Sequence, residues 1–250
     1  MLIIPAELFT IAECAFLSVD NTRTFEDETL NQIYVPEGEE AAKASKAVAD
    51  LCRKNKILTI NVLDEHPLGH ISLAANYKNK KPFDMITLEE VQDWTDEENG
   101  LTERAKFSVQ DVKKILSKFG PQRVWPDHSI KGTTWSDLQE PLSNSDFDVR
   151  VPKWVNPSLE WYSGFDGTHL DYELQKRLKK TLLIWGVATD YCVGQTALDA
   201  VDKGYKVYLI TPAIRGVTKE GTKEMVKVLK SKGVEFITIP QLKKLIKTSS

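Results

Sequence analysis

The chain has 250 residues, 41% of them apolar and 28% charged, with a formal net charge of −3. Such values suit a globular protein long enough to bury a sizeable core, and they argue against intrinsic disorder. The slight negative balance gives no bulk electrostatic pull toward nucleic acid or an anionic membrane surface, so neither is expected as a partner.

The opening stretch MLIIPAELFTIAECAFLSVD is apolar, but it lacks a basic leader and carries Pro5, Glu7 and Glu13, so no signal peptide is expected. No apolar run approaches the ~18 residues needed to cross a bilayer. Three cysteines, Cys14, Cys52 and Cys192, are too few and odd in number for a disulfide framework, and a reducing, cytoplasmic setting is the expectation.

In chain order, CAFLSVD at 14–20 reads as a first strand ending in an acid. Ala41, Ala42, Ala47, Val48, Leu51 and Cys52 recur at helical spacing and predict a helix over 37–55. ILTINVL at 57–63 is a second strand. Residues 76–124 then break the rhythm: they are polar and charged, with weak helical patterns at 87–94 and 108–118, and read as an insertion rather than a second domain. FDVRV at 147–151 is a third strand, 169–180 a helix, and TLLIWGV at 181–187 a fourth strand, apolar enough to be covered on both faces. A helix at 190–203, a strand at 206–211, a helix at 218–232, a strand at 234–239 and a short helix after Pro240 complete the pattern. Lys219, Lys223, Lys227 and Lys230 alternate with Glu220 and Glu224 as a solvated helix face. The alternation predicts one α/β domain over 1–250, a three-layer α/β/α arrangement around a six-stranded, mainly parallel sheet.

In an open parallel sheet, ligands bind beyond the carboxyl ends of the strands. Asp20 ends the first predicted strand, Asp64 and His66 follow the second, Lys153 the third and Cys192 the fourth. Each alone reads equally as a cap or loop charge; together they form a candidate constellation. The placement of Cys192 in a first helical turn predicts a lowered thiol pKa and a nucleophilic thiolate, against the plain alternative of a small buried side chain. Cys14 and Cys52 read as core. DEHPLGH at 64–70 and WPDH at 125–128 hold three of the four histidines, and a carboxylate with imidazoles suits Zn²⁺, Fe²⁺ or Mn²⁺. DGTHLD at 166–171 is explained by Thr168 as a helix N-cap. No G-x-G-x-x-G after a strand, no Walker A pattern and no G-x-S-x-G elbow is found, which removes the usual nucleotide-binding and serine-hydrolase readings.

The segments LSVDNTRTF, VLDEHPLGHIS, VWPDHSIKGT, VPKWVNPSLEWYSGF and WGVATDYCVGQTALDA, in this order, resemble the nicotinamidase branch of the isochorismatase-like cysteine hydrolases. The resemblance runs over nearly the whole chain. It implies a catalytic triad of Asp20, Lys153 and Cys192, and an oxyanion hole from the amides of Ala188 and Cys192 beside a cis Val187–Ala188 peptide. It also implies one divalent metal, zinc ahead of iron or manganese, on Asp64, His66 and His128, with His70 a ligand in only some members. Phe25, Trp125 and Tyr162 would face a nicotinamide substrate, hydrolysed to nicotinate and ammonia, and a homo-oligomer is compatible with the pattern. The chain departs from the family at Thr22, where glutamine is usual, at Ser129, where cysteine is frequent, and in the acidic stretch after Phe25. Two rivals stay open: a metal-free amidohydrolase of carbamoyl or ureido compounds, and a non-catalytic ligand-binding module, which would leave Asp20, Lys153 and Cys192 apart.

Overall fold

Strands without polar alternation build the centre of the molecule. The computed structural model describes residues 10–30, 33–153, 155–159 and 162–248, so most of the apolar N-terminal stretch, 1–9, lies outside the described residues. In chain order the elements are β1 (Cys14–Val19), α1 (Arg23–Glu26), α2 (Gly38–Lys54), β2 (Thr59–Leu63), β3 (Met85–Ile86), α3 (Leu88–Val91), α4 (Val109–Phe119), β4 (Gln122–Arg123), β5 (Val149–Pro152), α5 (Leu170–Gln175), β6 (Thr181–Val187), α6 (Cys192–Asp202), β7 (Lys206–Arg215), α7 (Lys219–Ser231), β8 (Glu235–Ile237) and α8 (Ile239–Thr248). Every residue of β1, β2 and β6 is buried, as expected for strands covered on both faces.

The six-stranded sheet has the order β5-β2-β1-β6-β7-β8 and every pairing in it is parallel. The architecture is the expected three-layer α/β/α. The chain starts in the middle at β1, adds β2 and β5 on one side, then crosses over to β6 and grows the other way. The direction therefore reverses between β1 and β6, and a crevice opens beyond their carboxyl ends. Cys14 and Cys52 are fully buried in the main core, as expected.

Three elements differ from expectation. The predicted helix at 169–180 ends at Gln175, because the chain turns there and Leu178 takes a left-handed conformation, φ 55°. β7 runs on to Arg215, past a register irregularity between Ile184 and Gly186. α6 begins at Cys192 rather than at Asp190. The Asp190 carboxylate instead accepts the amides of Val217 and Thr218, at 2.9 and 3.0 Å, tying the loop after β7 to the start of α6.

Within residues 76–124, β3 and β4 pair antiparallel and α3 packs on α4. Tyr77, Ile86, Val91, Val112 and Leu116 form a small core separate from that of the sheet.

Candidate active site

Asp20 is the first residue past β1, with a left-handed backbone, φ 52°. Such strain at a non-glycine residue persists only where the surroundings over-determine it. Here the Asp20 amide donates to the Val62 carbonyl at 2.9 Å and its carbonyl accepts the Thr22 amide at 2.8 Å. Across the rim, Gly186 has φ 122°, and a Cβ there would lie 1.9 Å from the Val19 carbonyl oxygen. Only glycine lets β6 approach β1 this closely at the crevice floor.

Lys153 follows β5 directly, its amide bonded to the Leu63 carbonyl at 2.8 Å. Its Nζ donates to Asp20 Oδ2 at 2.7 Å and to the Tyr162 carbonyl at 3.3 Å, and both ionic side chains are 1% exposed. The Cys192 side chain lines the same crevice as this Asp20 carboxylate and couples electrostatically to it and to Lys153. Acid, amine and thiol thus meet, as the resemblance implied and the binding-module reading did not.

Burial pushes the Asp20 carboxyl up to about 6; Lys153 opposes the rise and Asp64 adds to it. Burial would lower the Lys153 ammonium, but Asp20, Cys192 and Asp64 together raise it, so it is a cation throughout the neutral range. For Cys192, burial drives the thiol well above its ordinary value; Lys153 offsets part of this, while Asp20 and Asp64 add to it. This corrects the expectation of a lowered thiol pKa. The helix-terminal dipole acts on a sulfur that is buried and faces two carboxylates, and the resting group is a thiol with a base beside it.

The second cluster lies on the loops after β2 and before β5. His66 Nε2 is 3.1 Å from His128 Nε2 and 3.1 Å from Asp64 Oδ2, and His128 Nε2 is 3.4 Å from the same oxygen. Among the described residues these three form one group able to hold a metal ion, all three buried. Bonds of ~2.0–2.1 Å in a tetrahedron put ligand atoms about 3.3 Å apart, so the spacing fits. Tautomer fits as well. His128 Nδ1 lies 2.7 Å from the Pro126 carbonyl, which can only accept, so the proton is on Nδ1 and Nε2 presents a lone pair to the cluster. Burial alone would raise Asp64, but the neighbouring His66 and His128 imidazoles hold it well below the usual carboxylate range. His70 stands beside His66, ring centroids 4.5 Å apart, yet falls outside the three-residue group. Its Nδ1 accepts the Ser72 amide at 3.2 Å and pairs with Ser72 Oγ at 2.8 Å. His169 is exposed, at the N-cap of α5, and falls outside the three-residue group.

The crevice between the two clusters encloses about 520 Å³ including its mouth, and Phe25, Trp125 and Tyr162 all line it, as does Ala188. Tyr191, Val35 and Val217 also line it and were missed from sequence. Tyr191 packs on Tyr162 at 5.5 Å and edge-on to Trp125 at 5.9 Å. Its signal was available: an aromatic side chain immediately before a cysteine at a strand end. Cys192, as the first residue of α6, has an amide with no intrahelical carbonyl to bond. The Val187–Ala188 peptide beside it is cis.

Fold and crevice together define a three-layer α/β/α enzyme with its site at the carboxyl ends of a parallel sheet. More particularly, the chain belongs to the isochorismatase family: the Isochorismatase domain matches residues 14–241. A nicotinamidase of Escherichia coli (strain K12) is 30% identical over 189 residues, covering 73% of this chain and 75% of that protein. A nicotinamidase of Acinetobacter baylyi is 30% identical over 165 residues, and the match spans 64% of each chain, just under two thirds of that relative's length. Among solved structures, a pyrazinamidase of Pyrococcus horikoshii in complex with zinc is similar with a TM-score of 0.67 and 27% identity, over 91% of this chain and 99% of that one.

Proposed function

We propose that the chain is a nicotinamidase that hydrolyses nicotinamide to nicotinate and ammonia in cytoplasmic NAD salvage, accepts pyrazinamide in the same way, and works as one isochorismatase-like unit. The observation that carries this reading is the Asp20 carboxylate, bonded to Lys153 Nζ at 2.7 Å and sharing its crevice with the Cys192 thiol, beside a three-donor cluster and under aromatic walls.

Asp20 takes the thiol proton as the Cys192 sulfur attacks the carboxamide carbon. The C–S bond forms and the carbonyl electrons move to oxygen, where the Ala188 and Cys192 amides receive the charge; one such donor is typically worth ~3–4 kcal/mol. Asp20 then gives the proton to the amide nitrogen, the C–N bond breaks and ammonia leaves. A water activated by Asp20 cleaves the thioester and restores the thiol. Lys153 keeps Asp20 anionic between these transfers. Phe25, Trp125 and Tyr162 present flat apolar surface to an aromatic ring.

Asp64, His66 and His128 would hold a divalent cation, zinc by preference, with Fe²⁺ or Mn²⁺ satisfied by the same donors. Such a cation supplies a Lewis-acid anchor for a ring nitrogen. A metal-free enzyme of ureido compounds has no use for this buried trio.

The test is ammonia release from nicotinamide, pyrazinamide and a ureido compound, with and without chelator. Cys192→Ala should lose at least about 10⁴-fold in kcat while circular dichroism stays native. Retained turnover would remove the covalent step, and preference for the ureido compound would overturn the substrate.

A further inference from the structure

The chemistry just described leaves the 76–124 segment without a task, yet the segment reaches the crevice wall. We propose that Phe83 is a positioning residue: its ring fixes the indole of Trp125 as the outer wall of the crevice and thereby favours flat aromatic acyl groups. This rests on the reading that the crevice binds an aromatic carboxamide.

Phe83 is 49% exposed, and its backbone lies in the left-handed region, φ 75°. For a bulky side chain that conformation is an outlier, and an outlier points to a constraint imposed from outside the residue. The constraint is visible. The Phe83 amide donates to the Val124 carbonyl at 2.7 Å, and the Val124 amide donates to the Asp84 carbonyl at 2.9 Å. Phe83 is thus pinned to the residue before Trp125 by a continuation of the β3–β4 ladder. Its ring then meets the indole edge-to-face, centroids 5.9 Å apart at 84°.

Trp125 meets Tyr191 in the same way, again 5.9 Å and 84°. Tyr191 lines the crevice and Phe83 does not, so the indole bridges an inner and an outer aromatic ring. The Arg123 guanidinium adds a contact 5.9 Å from the indole centroid. The Trp125 backbone is fixed separately, donating to the Ser72 carbonyl at 2.7 Å and accepting the Ala74 amide at 2.8 Å. These backbone ties do not set the indole's side-chain torsions, and Phe83 is placed, with Tyr191 and Arg123, to limit them. A solvated loop phenylalanine would need neither the strained backbone nor the edge-on contact.

The experiment uses full-length protein labelled with 5-fluorotryptophan, the Trp125 fluorine line assigned with Trp125→Phe. Phe83→Ala should shift or broaden that line. It should also raise KM for nicotinamide about three- to tenfold, the range of one lost aromatic pair, with kcat within about twofold. Phe83→Tyr should restore both. An unchanged line and unchanged KM in Phe83→Ala overturn the proposal, as does a change that Phe83→Tyr fails to rescue. If the wild-type protein releases no ammonia from nicotinamide, the proposed function fails instead, and the fluorine line still decides the Phe83–Trp125 contact.

Discussion

The rim of the parallel sheet lines the crevice, while the 76–124 segment backs one of its walls through the contact of Phe83 with Trp125, and the two are held by different forces. On the rim, Asp20, Asp64, His66 and Lys153 are each at most 3% exposed; the backbones of Asp20 and Lys153 continue the β1–β2–β5 ladder, and that of His66 pairs with Ser129 and Lys131. In the segment, a small core of its own is joined by polar ties that are local and mostly face water. Thr87 accepts the Glu90 amide at 3.2 Å, and Lys113 Nζ caps the Gln92 and Trp94 carbonyls at 2.8 Å. The groups proposed for chemistry therefore sit where burial and ladder pairing leave one geometry. The wall that would shape the substrate sits where single contacts of modest energy decide. Changes on the rim should be severe and global, and changes in the segment small and local.

Gly186→Ala tests the first half of that contrast most harshly. The added methyl would enter the Val19 carbonyl at 1.9 Å from a residue with φ 122°, so neither rotamer choice nor side-chain motion relieves it. A loss of at least about 3 kcal/mol is expected from the denaturant midpoint, through separation of β1 from β6. A loss under about 1 kcal/mol, within the usual range of tolerated substitutions, would show that the rim is not rigid.

The pH dependence of turnover is the next largest effect. Burial raises Asp20 to about 6, so below that pH the folded protein carries the proton that the base must be free to accept. kcat/KM should fall about tenfold per pH unit on the acid side of this limb. A divalent cation on Asp64 would cancel part of that residue's raising effect, so the limb belongs at or below about 6 in the metal-loaded protein. The sharper form of the comparison is that Phe83→Ala should leave the limb in place, because the segment does not touch the Asp20–Lys153 pair. An acid limb above neutrality, or one displaced by Phe83→Ala, would break the separation.

The same division explains what could be read from the sequence. Apolar runs such as TLLIWGV carry the sheet, and the strand-end rule placed Asp20, Asp64, Lys153 and Cys192 at one edge before any coordinates. The direction of the Cys192 shift was not legible, since it depends on burial and on carboxylates brought from β1 and β2, and local sequence around a thiol carries neither. The separation of His70 from the metal-type group was hidden too. Ser72, two residues on, engages its Nδ1, and the placement of the ring is a matter of side-chain rotation that spacing does not encode. In the segment, 108–118 was recognised as a helix, but the β3–β4 pair of two residues each is too short to leave a periodic pattern, and with it the approach of Phe83 to Trp125 went unseen.

Ser108→Ala is the mildest probe and bears on the boundary itself. Ser108 caps α4: its Oγ accepts the Asp111 amide at 3.1 Å while Asp111 Oδ2 accepts the Ser108 amide at 2.8 Å, a complete capping box. Removing the hydroxyl costs about 1 kcal/mol in such a box. The helix should nevertheless persist, because Val112, Ile115 and Leu116 remain buried against the small core. If the segment opens as a unit of its own, amide exchange in α4 should quicken about fivefold. β6 should keep its protection, and KM should stay near the wild-type value, because Ser108 does not touch Phe83 or Trp125. Equal loss of protection in α4 and β6 would mean that the inserted core and the sheet open together. The wall would then inherit the rigidity of the rim, and rim and segment would behave as one body.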